Sequence, residues 1–214
     1  MKQTVQEKKT AQESEIRDRS QSVENRNLLL ERSSFRVAIT SVFTALSVIL
    51  GYMLIFLPNI ELITLMIFLS GFIIGKKEGI LVGAFSSFIF CFFNPMGSSS
   101  FLLLTVQLIY YSFVGLIGGL TKDLLQNRKF FNPREDLYVY PVLIIFGIIA
   151  VLMTSIYSLF AEIAGYFSFA GSAVPFISYI MLGIPFTIIH IIGNLLGFVI
   201  ILPGLIQLLY KLLD

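Results

Sequence analysis

PNIELITLMIFLSGFIIGKKEGILVGAFSSFIFCFFNPMG, residues 58–97, sets the architecture of this chain. Two apolar runs flank the charged residues Lys76, Lys77 and Glu78, and a Pro-Asn or Asn-Pro pair stands near each outer end. Because lipid offers no hydrogen-bond partner to a peptide group, apolar runs of this kind form helices that satisfy their own backbone. The segment therefore predicts a membrane hairpin with its charged turn in water on one side and both proline turns on the other.

The composition places the rest of the chain in a membrane as well. Of 214 residues, 56% are hydrophobic and only 13% are charged, with a mean hydropathy of +0.86. A soluble domain carries about 25% charged residues. We therefore predict an all-α integral membrane protein with a polar cytoplasmic tail at residues 1–31 and one membrane domain at residues 32–214. The tail has mixed charges and no apolar core, so it is not a signal peptide, and it either is solvated or docks a partner.

Apolar runs separated by polar connections predict six membrane-spanning helices. They are placed at residues 37–57, 60–75, 79–93, 101–120, 138–161 and 182–202. The second and third runs are short for a bilayer that needs about 20 helical residues, which predicts tilt or local thinning of the membrane. A link rich in glycine and aromatic residues at 165–175 joins the last two helices. Pro203 is expected to end the sixth, and residues 204–214 are expected to form a separate amphipathic helix.

The positive charges predict the orientation. All 15 Lys and Arg residues lie before the first helix or in the connections that follow the second, fourth and sixth. The positive-inside rule assigns these segments to the cytoplasm. We therefore expect a multi-pass protein of the plasma membrane, surrounded by lipid, with both termini in the cytoplasm.

Polar side chains gather on the predicted outer half of the bundle. In the sixth helix, Thr187, His190 and Asn194 fall at helical spacing, so this stripe faces the bundle interior. A binding pocket open to the outside is the expected result. Its candidate residues are Asn59, Glu61, Asn94, Gln107, Tyr111, Tyr157, Glu162, His190 and Asn194.

Each candidate also has a purely structural interpretation. Asn59 and Glu61 would cap the second helix and complement its positive end. Gln107 and Asn194 would join helices through hydrogen bonds. The histidine would be a satisfied interior residue, and Tyr157 would belong to the interfacial belt of aromatic residues. The sequence leaves these alternatives open.

The charges of the outer half indicate the class of ligand. Lys and Arg are missing there, whereas Glu61 and Glu162 are present. A carboxylate or phosphate group would therefore lack its usual cationic partner. The pattern favours a neutral or cationic small molecule that carries a ring, and it argues against ligands of the folate, biotin or pantothenate kind.

The sequence lacks recognisable catalytic and metal-binding motifs. With one Cys and one His, the chain cannot build an ordinary zinc site or a disulfide. No H-E-x-x-H or G-x-S-x-G motif occurs, and GFIIGKK at residues 71–77 lacks the Ser or Thr of a phosphate-binding loop. A protease-like dyad of Ser70 and His190 is disfavoured because Ser70 should lie near the cytoplasmic end. We expect no enzyme activity, no cofactor, no metal and no nucleic-acid partner.

Small residues recur at spacings of three and four in two helices. They are Ala38, Ser41 and Ala45 in the first helix and Gly79, Gly83, Ser86 and Ser87 in the third. Such residues let helix backbones approach closely in lipid. They serve either internal packing or the docking of another membrane subunit.

Residues 34–204 resemble the substrate-binding S-components of energy-coupling factor (ECF) vitamin transporters. The resemblance rests on the first helix led by Arg36, on PNIEL, GKKEG and NPMG together with Gln107, and on G-I-P-F-x-x-x-H-x-x-x-N at residues 183–194. It implies an S-component-like bundle that captures a vitamin or vitamin precursor from outside. It also implies that a separate transmembrane coupling subunit and two cytoplasmic ATPases drive the uptake.

The resemblance further implies that the coupling subunit docks on Ala38, Ser41 and Ala45. The usual Ala-x-x-x-Ala pattern of the family would require Ala at position 42, where this chain has Val42. PNIEL and NPMG are most similar to subfamilies associated with cobalamin or its ring precursors. The alternative is a non-transporting structural membrane protein of the MreD-like cell-shape type, which would pack about six helices without a small-molecule ligand.

Overall fold

The computed structural model describes residues 32–133, 135–170 and 174–213, so the charged tail lies outside the described residues. Helices and no strands make up the described regular structure. The helices are α1 (Ser33–Met53), α2 (Ile63–Ile73), α3 (Lys76–Phe92), α4 (Phe101–Leu125), α5 (Tyr140–Gly165), α6 (Phe176–Leu196) and α7 (Leu202–Leu213). One π-helical turn, Tyr166–Ala170, extends α5, and a second, Gly197–Ile201, joins α6 to α7.

Four helical stretches among the described residues are long and apolar enough to cross a membrane. They are Ser33–Met53, Phe101–Leu125, Tyr140–Phe169 and Phe176–Leu213. The hairpin helices α2 and α3 have 11 and 17 residues, which corresponds to lengths of about 16 and 25 Å. The chain is thus a helical multi-pass membrane protein, and of the six predicted spans these four meet the length of a full crossing.

Helix α2 forms the centre of the bundle. All of its residues are buried, and it packs against α1, α3, α4 and α7. A helix that is apolar on every side is stable where other helices surround it. Protein therefore covers α2 instead of lipid, and the tilt or local membrane thinning expected from its short length stays a prediction.

An aromatic cluster fills the core around α2. Phe68 lies 5.0 Å from Phe198 and 6.2 Å from Phe146 between ring centroids. Phe72 contacts Phe146 at 6.1 Å and Phe131 at 5.9 Å. These edge and tilted arrangements are the favourable ones for aromatic pairs. The cluster ties α2 to α5, to the π-helical turn after α6 and to the α4–α5 connection.

Glycines bring the backbones of α3 and α4 into direct contact. A Cβ atom on Gly115 would overlap the backbone of Gly79, and one on Gly83 would overlap the backbone of Tyr111. Ser86 and Ser87 are also buried. Of the two interpretations left open for the small residues of the third helix, the structure therefore shows internal packing.

The sixth helix differs from the sequence prediction at both ends. It begins at Phe176 instead of residue 182, and Pro203 does not end it, because Phe176–Leu213 is continuous. The π-helical turn lies directly before this proline, and Leu202 N–H donates to the Gly197 carbonyl five residues earlier. Since proline has no N–H to continue the normal ladder, the wider turn lets the helix pass it.

The turn between α2 and α3 is tighter than predicted. Gly75, with φ of 142°, makes the turn, and Lys76 already begins α3. Only glycine adopts this backbone conformation without strain. The charged triplet is therefore the first turn of a helix, with Glu78 near the positive end of its dipole.

Ion pairs mark one end of the bundle. Arg36 pairs with Glu78, and Lys76 Nζ lies 2.6 Å from Asp123 Oδ2. Every described Lys and Arg lies near the start of α1, in or beside the α2–α3 and α4–α5 connections, or near the end of α7. We call this the basic end. The opposite end, where α1 ends and α2 begins, is called the acidic end because Glu61 and Glu162 lie towards it.

Candidate substrate-binding site

The connection between α1 and α2 positions Glu61 at the acidic end. Asn59 has φ of 57°, a left-handed conformation that asparagine tolerates better than most residues. The Asn59 carbonyl lies beside Gly193 of α6. This turn brings the chain back against the bundle, so that the Glu61 side chain points inward before α2 begins.

Glu61 is the hub of a polar cluster. Tyr111 donates from its hydroxyl to Glu61 Oε2 at 2.9 Å, and His190 Nε2 lies 3.0 Å from Glu61 Oε1. Thr64 also donates to the carboxylate. A carboxylate at membrane depth is costly unless it is paired and hydrogen-bonded. These contacts meet that requirement and join α2, α4 and α6 at one point.

Gln107 organises a second part of the cluster. Its Nε2 donates to the Tyr157 hydroxyl at 3.0 Å. Its Oε1 accepts hydrogen bonds from the Ser99 hydroxyl at 3.3 Å and the Cys91 thiol at 2.7 Å. The amide is buried, and it connects α3, α4 and α5.

Three tyrosine rings lie between Glu61 and Gln107. Tyr157 is 4.5 Å from Tyr110 and 5.9 Å from Tyr111 between ring centroids, and the His190 ring meets Tyr157 edge-on at 5.6 Å. Tyr157 therefore belongs to the interior cluster and not to an interfacial belt. The buried hydroxyl of Tyr110 has no hydrogen-bond partner among the described residues.

Asn194 and His190 attach α6 to α5. Asn194 Nδ2 donates to Thr154 Oγ1 at 3.0 Å, and His190 Nδ1 lies 3.5 Å from Ser158 Oγ. They are the two buried residues of α6. The predicted stripe thus faces the bundle, and it brings α6 into contact with the hub.

A known protein family matches most of the chain. The family described as ECF transporter, substrate-specific component, matches residues 35–202. The chain belongs to this family. The resemblance seen in the sequence is therefore confirmed. The protein is a substrate-binding subunit of an ECF transporter in the plasma membrane. The members of this family are transport subunits and not enzymes. Neither a curated protein nor a solved structure shows significant similarity to the chain.

The remaining predicted site residues of the S-component do not contact the hub directly. Glu162 Oε1 accepts a hydrogen bond from Thr187 at 2.7 Å and lies against Gly183, further along α5 and α6. Asn94 accepts from the backbone N–H of Met96 at 2.8 Å and shapes the α3–α4 turn. The Asn59 side chain is exposed.

Ser70 and His190 of the S-component do not form a dyad. Ser70 is buried near the end of α2, where its hydroxyl donates to the Ile67 carbonyl at 2.7 Å. His190 contacts Glu61, which lies just before the first residue of α2, at the other end of that helix. The two side chains are therefore separated by about the length of α2.

A groove of about 700 Å³ runs between α1 and α3 of the S-component. Ser41 and Ala45 line it on α1, and Leu81, Phe85 and Ile89 line it on α3. Ala38, Ser41 and Ala45 are all exposed. Unlike the small residues of α3, those of the first helix are thus available to another helix.

Proposed function

We propose that this S-component captures a vitamin or vitamin precursor at the acidic end and presents it for ATP-driven uptake. The observation that carries the proposal is the convergence of Glu61, Gln107 and His190 from separate elements inside an apolar bundle. Polar and ionisable side chains at membrane depth are costly, so where they cluster they typically mark a ligand or ion site. Membership of the family supplies the ligand class in general terms: a transported small molecule.

The acidic end faces the outside in this proposal. Every described Lys and Arg is at the basic end, and the positive-inside rule assigns such segments to the cytoplasm. The pocket would open between the α1–α2 connection, the α3–α4 turn and the turn after α5. A hydrogen bond of 2.7 Å between Ser100 and Ser168 already joins the last two of these segments.

The composition of the site supports a neutral or cationic ligand with a ring. The half-buried Tyr157, packed against the buried rings of Tyr110 and Tyr111, offers a stacking surface, and Glu61 and Glu162 oppose an anionic group. The similarity of PNIEL and NPMG to cobalamin-associated subfamilies supports a cobalamin-related compound as one candidate, whereas the charges of the site favour a cationic ring compound.

The groove between α1 and α3 is the proposed docking site of the transmembrane coupling subunit. Its α1 side carries small side chains, and its α3 side carries large apolar ones, so a partner helix could approach α1 closely while its own side chains fill the groove. Val42, which replaces the expected alanine, is itself exposed. Ser41 and Ala45 would then provide the close contact. The coupling subunit would link this chain to two cytoplasmic ATPases.

Replacing Ala45 with Trp should separate the S-component from its coupling subunit. The indole would fill the groove that a partner helix needs. Ala45 is exposed on α1, whereas the described hydrogen bonds of Glu61 come from α2, α4 and α6. We expect at least a tenfold loss of coupling subunit and ATPases in affinity purification from native membranes, with unchanged substrate binding. Ile109→Trp is the matched control, since Ile109 is exposed on α4 outside the groove.

The same purification tests the function as a whole. The wild-type chain should retain one coupling subunit and two ATPases. A chain that instead retains cell-wall synthesis proteins and neither ATPase would favour the structural alternative. Equal retention of the coupling subunit by the wild type and Ala45→Trp would rule out the groove as its docking site.

A further inference from the structure

We propose that the substrate carries a positively charged nitrogen on or beside a planar ring, and that Glu61 is the carboxylate that recognises it. This inference deepens the proposed function and rests on it. It names one charge and one recognition residue within the broader ligand class.

The charges of the acidic end are one-sided. Among the described residues there, Glu61 and Glu162 are the acidic side chains, and neither Lys nor Arg is present. His190 is the one described side chain there that can balance Glu61. Charge interactions are strong in a low-dielectric interior. The carboxylates would therefore attract a cation that enters this site and repel an anion.

The tyrosine rings suit a flat cation. Tyr110 and Tyr157 lie 4.5 Å apart between centroids, and the half-buried Tyr157 is the more accessible of the two. The faces of aromatic rings attract cations, most strongly where water is excluded. A carboxylate beside such rings binds both the charge and the plane of a ring-borne cation.

An unused polar group points to a ligand independently of the charges. The Tyr110 hydroxyl is buried, and no hydrogen bond of normal geometry reaches it among the described residues, because the neighbouring Thr64 hydroxyl donates to Glu61 instead. The Tyr110 ring packs against Tyr111 and Tyr157. A buried hydroxyl without a partner is costly, because the hydrogen bonds that it made to water in the unfolded chain are not replaced. A substrate that hydrogen-bonds this hydroxyl would remove that cost, which gives the site a polar contact in addition to Glu61.

His190 is the contact that the cation would replace. The Glu61 side chain is 17% exposed, whereas that of His190 is 7% exposed, so the carboxylate is the more accessible partner. The other polar contact of His190, with Ser158, is long at 3.5 Å. The imidazole can therefore turn towards Ser158 when the substrate takes its place at Glu61, while Tyr111 and Thr64 keep the carboxylate oriented.

The test determines the charge of the compound that the protein binds, and it measures whether the binding depends on Glu61. Detergent-purified, ligand-depleted protein is dialysed against an equimolar mixture of thiamine, pyridoxamine, cyanocobalamin, riboflavin, nicotinamide, pantothenate and biotin, and separately against a small-molecule extract of the native cells. Bound compounds are identified by mass spectrometry. Glu61→Gln keeps the shape and the acceptor oxygen, and Asp123→Asn makes the same chemical change at the basic end as a control.

We expect the wild type to retain a cationic ring compound, Glu61→Gln to lose at least 30-fold in affinity for it, and Asp123→Asn to stay within twofold. His190→Ala should lower the melting temperature of the empty protein and enlarge the rise caused by the ligand, because Glu61 then lacks its resident partner. If Glu61→Gln does not fold, the melting temperatures of His190→Ala and the charge of the wild-type ligand still test whether Glu61 recognises a cation.

Two outcomes overturn the inference in different ways. Retention of an anionic or uncharged compound, or binding by Glu61→Gln within threefold of the wild type, would refute the recognition of a cation by Glu61 and leave the proposed function intact. A wild type that retains nothing from the cell extract would contradict the proposed function itself, and the inference would fail with it.

Discussion

Replacing Gln107 with Ala should weaken substrate binding about 100-fold while the S-component remains folded. The amide joins Tyr157 of α5 to Ser99 and Cys91, and its removal leaves the Tyr157 hydroxyl without this partner. A loss of this size corresponds to about 2.8 kcal/mol, which is within the cost of leaving buried polar groups unpaired. Equilibrium dialysis with the compound released from the wild type measures the effect.

Asn194→Ala should have a similar effect from the opposite side of the cluster. Asn194 holds α6 against Thr154, so its loss should displace His190 from Glu61. Gln126→Ala at the basic end serves as the control for both changes and should bind normally. Affinities equal to that of the wild type in both Gln107→Ala and Asn194→Ala would refute the site, provided that circular dichroism and the melting temperature show folded protein.

Replacing Gly115 with Ala should prevent stable folding. Its added Cβ would overlap the Gly79 carbonyl, and two packed backbones cannot yield as a flexible side chain can. Overpacking of this kind destabilises by about 1 to 3 kcal/mol, and by more where backbone must move. We expect most of the variant to aggregate on extraction from the membrane, as measured by size-exclusion chromatography.

Gly193→Ala is the matched control for this substitution. A Cβ at Gly193 would meet the nearest atom, the Asn59 carbonyl, at 3.8 Å, which is an ordinary contact. It should therefore be monodisperse and melt close to the wild type. A Gly115→Ala variant as stable as Gly193→Ala would show that α3 and α4 do not pack through their glycines.

The sequence identifies most of the hub because polar residues stand out in apolar helices. Gln107 and Tyr111 lie one helical turn apart in α4, so they share one face of that helix. Tyr157 and His190 interrupt the apolar runs of α5 and α6, and Glu61 stands in the connection before α2. The structure joins all five through hydrogen bonds or ring contacts. Their role in binding stays a prediction.

The supporting residues could not be predicted in the same way. Thr154 and Ser158 contact the cluster, whereas Ser41 and Thr105 donate to carbonyls of their own helices. Small hydroxyl side chains have both options in any helix, so only the packing reveals which one is used. Tyr110 carried a usable signal, since it follows Gln107 by one helical turn.

The central position of α2 and the continuous sixth helix also depend on packing. A short apolar run is compatible both with a helix that spans a thinned membrane and with a buried core helix. The complete burial of α2 indicates a buried core helix. A proline such as Pro203 usually marks the end of a helix. The preceding π-helical turn, which let the helix continue, has no simple sequence signature.

Mass spectrometry of small molecules released from the detergent-purified S-component tests the account most directly. The chain has no Trp, so intrinsic tryptophan fluorescence cannot report binding. We predict one vitamin-like compound per chain in the wild type, and its loss from Gln107→Ala purified in parallel. A folded wild type that carries no small molecule, and takes none up from an extract of its own cells, would contradict substrate capture.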